Sequence, residues 1–279
     1  MIAAAPVKAP SCNGNAPKRL MDKQAKSDGV RAVERAIDVL EAFSPDRPAL
    51  TITDISRRTG LSRPTLYRLL QTLLGRGLLR HDGDPPHYRL DAGAARFAAI
   101  WSHSFDLGRQ AMPELGRLRD RFDETVALFL RSDDRKLCVA ELESRQPLSF
   151  ARGVGYSESL RLGASGMSIL AHLPAADQER ILAGERDRSR IPQIRRRLIM
   201  VRQRGYALSG GDLIVGAQAI AAPVRDKTTN AVAAIGLFGP AARFPAERVE
   251  ECALAVRASA LVLSRALGFS EAGPAETGP

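Results

Sequence analysis

Residues 51–90, TITDISRRTGLSRPTLYRLLQTLLGRGLLRHDGDPPHYRL, constrain the fold more than any other stretch of this 279-residue chain. Thr51 can cap a helix through its side-chain oxygen, and Asp54, three residues on, completes a capping box. Ile52 and Ile55 give that short helix an apolar side, and Gly60 stops it. A second start follows at once, with Ser62 as N-cap and Pro64 in the first turn, where its missing N–H does no harm. Leu66, Leu69, Leu70 and Leu73 fall at i, i+3, i+4 and i+7, one buried face of a helix that Gly77 ends. Two short helices joined by a glycine-containing turn are the helix-turn-helix pattern.

The outward side of the second helix is polar. Arg63, Thr65, Tyr67, Arg68, Gln71 and Thr72 lie off the leucine stripe, and such groups bond base edges and phosphates. Residues 78–80, a turn around Asp82-Gly83 and residues 87–90 read as a basic hairpin, a wing beside the helix pair. Spacing alone also permits an ordinary helical hairpin followed by a β-hairpin; the wing and the basic face together favour DNA. The residues expected to meet a double-stranded operator are Thr51, Thr53, Arg57, Ser62, Arg63, Thr65, Tyr67, Arg68, Arg80, His87 and Arg89.

Charge supports this reading without proving it. The formal net charge is +10, and residues 1–90 hold 15 Lys/Arg against 9 Asp/Glu, so the basic excess is densest around the helix pair. An anionic partner fits, although an arginine-rich composition raises the isoelectric point with no such role. The three cysteines, Cys12, Cys138 and Cys252, are far apart and lack metal spacing, which fits a reducing cytoplasm. No apolar run approaches a membrane span, and the N-terminal residues have no signal-like apolar core, so no membrane role is expected. His81, His87, His103 and His172 have neither metal spacing nor a matched nucleophile, and Asp133-Asp134 reads as a hairpin tip. No enzyme, metal or cofactor is expected.

Five segments follow in order. Residues 1–28, rich in Ala, Pro, Asn, Lys and Ser, read as a disordered basic arm. The winged helix-turn-helix covers 29–91, its base helix lined by Val33, Ile37, Leu40 and Phe43. A linker helix covers 92–108, with Phe97, Trp101 and Phe105 every four residues and a bend near Gly108 before a restart at Met112-Pro113. A linker helix cannot bury such a stripe alone, so Phe97 and Trp101 are expected at a contact between two copies; a helix-turn-helix commonly reads two half-sites as a dimer. Residues 109–268 read as an α+β domain. TVALFLRSDDRKLCVAELES reads as a hairpin of two apolar runs around Asp133-Asp134, PLSFARGVG as a third strand, and AQAIAAPVRD and AVAAIGLFGP as two more; a loop spans residues 206–216, and helices intervene and close the domain. Residues 269–279 read as a disordered tail.

From about residue 30 to 268 the chain resembles the IclR family of bacterial transcription regulators. The resemblance rests on RAVERAIDVLEAF, TITDISRRTGLSRPTLYRLLQTL and the wing ending YRL. In the second domain it rests on SGMSILA, RGYALSGGDLIVGAQAIAAPVRD and AAIGLFGPAARF. It implies an N-terminal winged helix-turn-helix, a dimerising linker helix, and a C-terminal GAF/PAS-like effector-binding domain; the assembly would be a homodimer or a dimer of dimers. It also implies control of metabolic operons by a small-molecule effector.

The resemblance places an effector site at Arg161, Ala164, Ser165, Ser209, Asp212, Ala219, Gly236 and Phe238. Several of these depart from the pattern of carboxylate-sensing members. Ser209 aligns with an Asp, Ala219 with a Cys, and Gly236 and Phe238 with two Ser; the turn usually reading His-Ala-Ser/Thr is Arg161-Leu162-Gly163-Ala164-Ser165. Few donors would remain, namely Ser165, Ser209 and Arg161, and a buried carboxylate without donors is unfavourable. The expected effector is therefore an aromatic or largely apolar acid. The alternative is a collapsed pocket and effector-independent DNA binding, with Phe238 only filling core.

Overall fold

The computed structural model describes residues 30–44, 47–104 and 106–270; the side chains of 101–104 and 106 are outside the description, as are the expected arm and residues 271–279. The described residues divide into two compact units, 30–104 and 106–270.

The first unit contains α1 (Arg31–Glu41), β1 (Leu50–Thr51), α2 (Ile52–Thr59), α3 (Arg63–Gly75), β2 (Leu79–Asp82), β3 (His87–Leu90) and α4 (Ala92–Ser104). The cap of α2 has the expected reciprocal form: the Asp54 N–H donates to Thr51 Oγ1 and the Thr51 N–H to Asp54 Oδ2, both at 3.2 Å. Gly60 ends α2 at φ 71°, a left-handed conformation that any side chain would strain. Ser62 stands at the N-cap of α3 but its hydroxyl pairs with Thr65 Oγ1 (3.0 Å) instead of the backbone. α3 stops at Gly75, and Gly77 closes it in a Schellman pattern, with bonds from Gly77 N to Leu74 O and Leu78 N to Leu73 O. β1 was not foreseen; it joins the wing as a three-stranded sheet in the order β1-β3-β2.

α1 corrects one expectation. Val33 and Ile37 were to face the core, yet they are 55% and 47% exposed, and Val30 beside them is exposed too. The helix instead packs Ala36, Val39, Leu40 and Phe43 on Ile55, Leu66 and Leu70. Those four also fall at i, i+3, i+4 and i+7, so α1 carries two apolar stripes and the fold covers one of them.

The second unit begins with α5 (Asp106–Phe122), which runs unbroken through Gly108 and holds Pro113 in its interior. The bend near Gly108 and the restart at Met112-Pro113 are therefore not there. Leu107, Ala111, Leu115, Leu118 and Phe122 form one continuous buried stripe, and Pro113 lies on the exposed side. β4 (Thr125–Ser132), β5 (Arg135–Leu142) and β6 (Ser157–Ser159) follow, then α6 (Gly163–Ala171), α7 (Ala175–Ala183) and α8 (Ile191–Arg204). β7 (Ala207–Gly210), β8 (Ala217–Arg225), β9 (Ala231–Pro240) and α9 (Ala246–Ala266) complete it. Six antiparallel strands run in the order β6-β5-β4-β9-β8-β7, two three-stranded meanders joined edge to edge through β4 and β9. The architecture is the expected α+β one.

Three local expectations fail here. PLSFARGVG is not a strand: Leu148 and Val154 are exposed, Gly153 and Gly155 have φ of 80° and 92°, and the Arg152 and Gly153 N–H groups donate to the Glu141 carboxylate in place of a ladder. The third strand is β6, just beyond it. The loop expected over residues 206–216 begins with a strand, β7, because Ala207 and Ser209 alternate inward and pair with Ala221 and Ala219. Phe269 belongs to the fold and not to a tail, being buried with the Arg225 guanidinium 4.1 Å from its ring centroid. No helix among the described residues is long and apolar enough to cross a membrane.

Candidate nucleic-acid interface and effector cavity

In the first unit the α3 leucines are drawn into the core, which turns Arg63, Tyr67 and Arg68 outward. Tyr67 is 54% exposed, and Arg68 has no side-chain partner among the described residues. Arg63 reaches back to the Thr53 hydroxyl at 3.4 Å, and Arg57 lies 3.7 Å from Asp54. Thr51 takes the capping role expected of it, its hydroxyl and its N–H both engaged in the α2 cap. That network also holds the Asp54 carboxyl below its ordinary range, chiefly through the Thr51 hydroxyl.

The wing sorts its residues by pleat. Arg80 stands opposite Arg89 and Asp82 opposite His87, so these four share one face, while Leu79 and Tyr88 point into the core. Two like charges directly opposite repel, and Asp82 relieves this at 3.7 Å from Arg80 and 3.4 Å from Arg89. The His87 ring is held by the Pro85 carbonyl at 3.0 Å.

In the second unit a cavity opens on the sheet, about 570 Å³ when the open space at its mouth is counted. Seven of the eight expected effector positions line it: Ala164, Ser165, Ser209, Asp212, Ala219, Gly236 and Phe238. The register explains why. Ser209, Ala219 and Phe238 lie in one cross-strand row, and Ala221 and Gly236 in the next. Small side chains there leave a hollow that larger neighbours wall. Gly163 opens α6 at φ 69°, and a Cβ there would sit 2.9 Å from a Leu213 methyl and 3.3 Å from Lys136 Nζ. The first turn of α6 thus reaches the cavity through residues 163–165, and N–H groups of a first turn have no partner within the helix.

Arg161 is the exception. Its guanidinium donates to the Ile181 carbonyl at 2.7 Å and lies 3.4 Å from Glu185, so it braces α7 and does not line the cavity. Asp212 is at the cavity but is ion-paired with Arg197 at 2.7 Å.

Sequence reasoning missed the other wall, formed by Phe129, Phe150, Tyr156, Arg152 and Lys136. Lys136 is only 1% exposed. Burial pushes its ammonium down to about 7, with Glu158 the largest opposing influence. The Arg152 guanidinium stacks 4.8 Å from the Tyr156 ring centroid. A signal was available for the lysine: in RKLCVAEL, Lys136 falls in phase with Cys138 and Ala140, both inward-facing. The cavity is therefore richer in cationic donors than the expected trio of Ser165, Ser209 and Arg161.

An N-terminal winged helix-turn-helix followed by an α+β unit with a cavity on its sheet is the architecture of a DNA-binding regulator. Residues 32–83 match the IclR helix-turn-helix domain, and residues 100–265 match the C-terminal domain described as bacterial transcriptional regulator IclR. The chain belongs to the IclR family of transcriptional regulators. It is 29% identical over 248 residues to the HTH-type transcriptional regulator BhcR of Paracoccus denitrificans, covering 85% of this chain and 88% of that one. An IclR family transcriptional regulator from Brucella abortus has a similar structure, with TM-score 0.72, 27% identity and coverage of 86% and 94%. An IclR homologue from Microbacterium hydrocarbonoxydans, solved in complex with 4-hydroxybenzoate, gives TM-score 0.72 at 26% identity, covering 86% of this chain and all of that one.

Proposed function

We propose that this regulator binds a pseudo-palindromic operator as a dimer and that an aromatic acid in the second-unit cavity modulates the binding. The observation that carries the effector class is the lining: aromatic walls from Phe129, Phe150, Tyr156 and Phe238 enclose a floor of Ala219, Ala221 and Gly236, with cationic groups at one side. An aromatic ring gains apolar contact there, while the few polar groups fix its one charged end. The homologue that holds 4-hydroxybenzoate supports the same reading. A thermal-shift screen tests it. Benzoates at a hundred times their Kd should stabilise the protein by about 2.7 kcal/mol, and two- and three-carbon keto acids far less. Stabilisation by pyruvate or glyoxylate without benzoates would exclude an aromatic acid, and no response to any acid would favour a collapsed pocket.

Operator contact is assigned to Arg63, Thr65, Tyr67 and Arg68 in the major groove, with Arg57, Arg80 and Arg89 on phosphates. The dimer reading rests on exposed apolar side chains in the first unit: Val30 at the N-cap of α1, Val33 and Ile37 on α1, and Phe97, 56% exposed, on α4. Trp101 was expected with them; its side chain is outside the described residues. Exposed apolar side chains of this kind are what an interface would cover. Light scattering at micromolar concentration should give at least a dimer, with recognition helices about 34 Å apart or a multiple. Phe97→Glu with Ile37→Glu should shift the mass toward monomer and weaken operator binding; an unchanged mass would place the interface elsewhere.

A further inference from the structure

The proposed site needs a partner for the effector's charged end, and one buried group in the cavity wall is poorly matched by the fold around it. The Lys136 ammonium makes a single hydrogen bond, to the Leu162 carbonyl at 2.6 Å, and lies 5.9 Å from the Phe129 ring centroid. It forms no ion pair, and two of its three N–H donors lack a partner among the described residues. The carboxylates facing it compensate only in part, because both lie beyond ion-pair distance and are bonded to other groups. Glu158, opposite it in the β5–β6 register, accepts the Tyr156 hydroxyl (3.1 Å) and the Ser159 N–H (2.8 Å). Asp212 is taken by Arg197. Arg135 and Arg152 carry the same sign as the lysine, and Arg135 is bonded to Ser157. A buried ammonium with no direct ion pair and two open donors is unfavourable, so the fold retains here a group that a bound anion would satisfy.

Building on the aromatic-acid reading, we propose that Lys136 is the counter-ion of the effector carboxylate and makes the cavity selective for the acid over its uncharged analogues. The carboxylate bridges Lys136 Nζ and the first turn of α6, and the ring lies against Phe129 and Tyr156. Charge-assisted hydrogen bonds of this kind are about twice as strong as neutral ones. The pairing also couples binding to protonation. In the free cavity burial holds the Lys136 ammonium at about 7. An adjacent carboxylate favours the charged form and raises it, so above pH 7 the acid binds together with a proton. Tyr156 and Cys138 are both pushed up to about 12 by burial and stay protonated throughout this range.

Calorimetric titration of the full chain with benzoate and with benzamide, from pH 6 to 9 and in two buffers of different ionisation enthalpy, tests this. Benzoate affinity is expected to fall by up to tenfold per pH unit above 7, with uptake of one proton, while benzamide binds at least tenfold more weakly at pH 6 and shows no pH dependence. Lys136→Met should reduce benzoate to the benzamide level. Benzoate binding that is unchanged from pH 6 to 9, or retained by Lys136→Met, overturns the role of Lys136 and leaves the aromatic-acid reading standing. If neither benzoate, benzamide nor any other aromatic acid binds wild type, that reading fails and this proposal fails with it.

Discussion

Replacing Arg68 by alanine is expected to weaken operator binding by about 1–3 kcal/mol, roughly 5- to 150-fold, while random DNA of equal length loses far less. The geometry selects Arg68 over its neighbours. Leu66, Leu70 and Leu73 fix the orientation of α3 by burial, and Arg68 leaves another side with no side-chain partner among the described residues, so its guanidinium can meet a base edge bidentately. Arg63 must first release the Thr53 hydroxyl, and Arg80 and Arg89 share Asp82, so each brings less to the groove. Anisotropy titrations on operator and scrambled duplexes at several salt concentrations separate the outcomes. Loss confined to operator marks base reading; equal loss on both, with the salt slope reduced by about one, would make Arg68 a phosphate ligand instead. Thr51→Ala makes a useful contrast, since losing the α2 cap should lower stability by about 0.5–2 kcal/mol and touch DNA only through the fold.

The helix pair was readable because its signals are local. A capping box, a glycine stop and a leucine stripe each act within a few residues, and the same physics holds wherever the helices dock. The misreadings share a different cause. The stripe Val33/Ile37 and the stripe Ala36/Val39/Leu40/Phe43 are equally good on paper, and only tertiary packing decides which meets the core. PLSFARGVG has an apolar texture, yet its N–H groups go to a side chain, Glu141, that sequence distance hides. Family resemblance placed seven residues around the cavity but put Arg161 there as well, where Glu185 and Ile181 claim it. The opposite wall went unseen because Lys136, Phe150 and Tyr156 come together only through the β4–β5–β6 meander and the loop that follows β5.

Lys136→Met is expected to stabilise the ligand-free protein, by an amount that depends on pH. The ordinary lysine value of 10.5 falls to about 7 in the fold, a difference that corresponds to on the order of 5 kcal/mol of penalty for the buried ammonium. The sign follows from proton binding. Between pH 7 and 10.5 the unfolded chain carries a proton at this lysine that the folded chain has released, so wild-type stability from this group rises with pH across that window. Below pH 7 both states are protonated and the full penalty is present. Methionine removes the penalty and keeps nearly the same volume in the space between Phe129 and Leu213. Against this stands the Leu162 carbonyl, which loses its donor at about 1–3 kcal/mol. The net expectation is a gain of about 2–4 kcal/mol at pH 6 that shrinks as pH rises and becomes a loss of about 1–3 kcal/mol above pH 10.5, measured as urea midpoints of wild type and variant across that range. A residue kept at the expense of stability is the mark of a functional position. A variant less stable than wild type at pH 6 would show that the ammonium is satisfied within the fold, and the reason to look for an anion beside it would be gone.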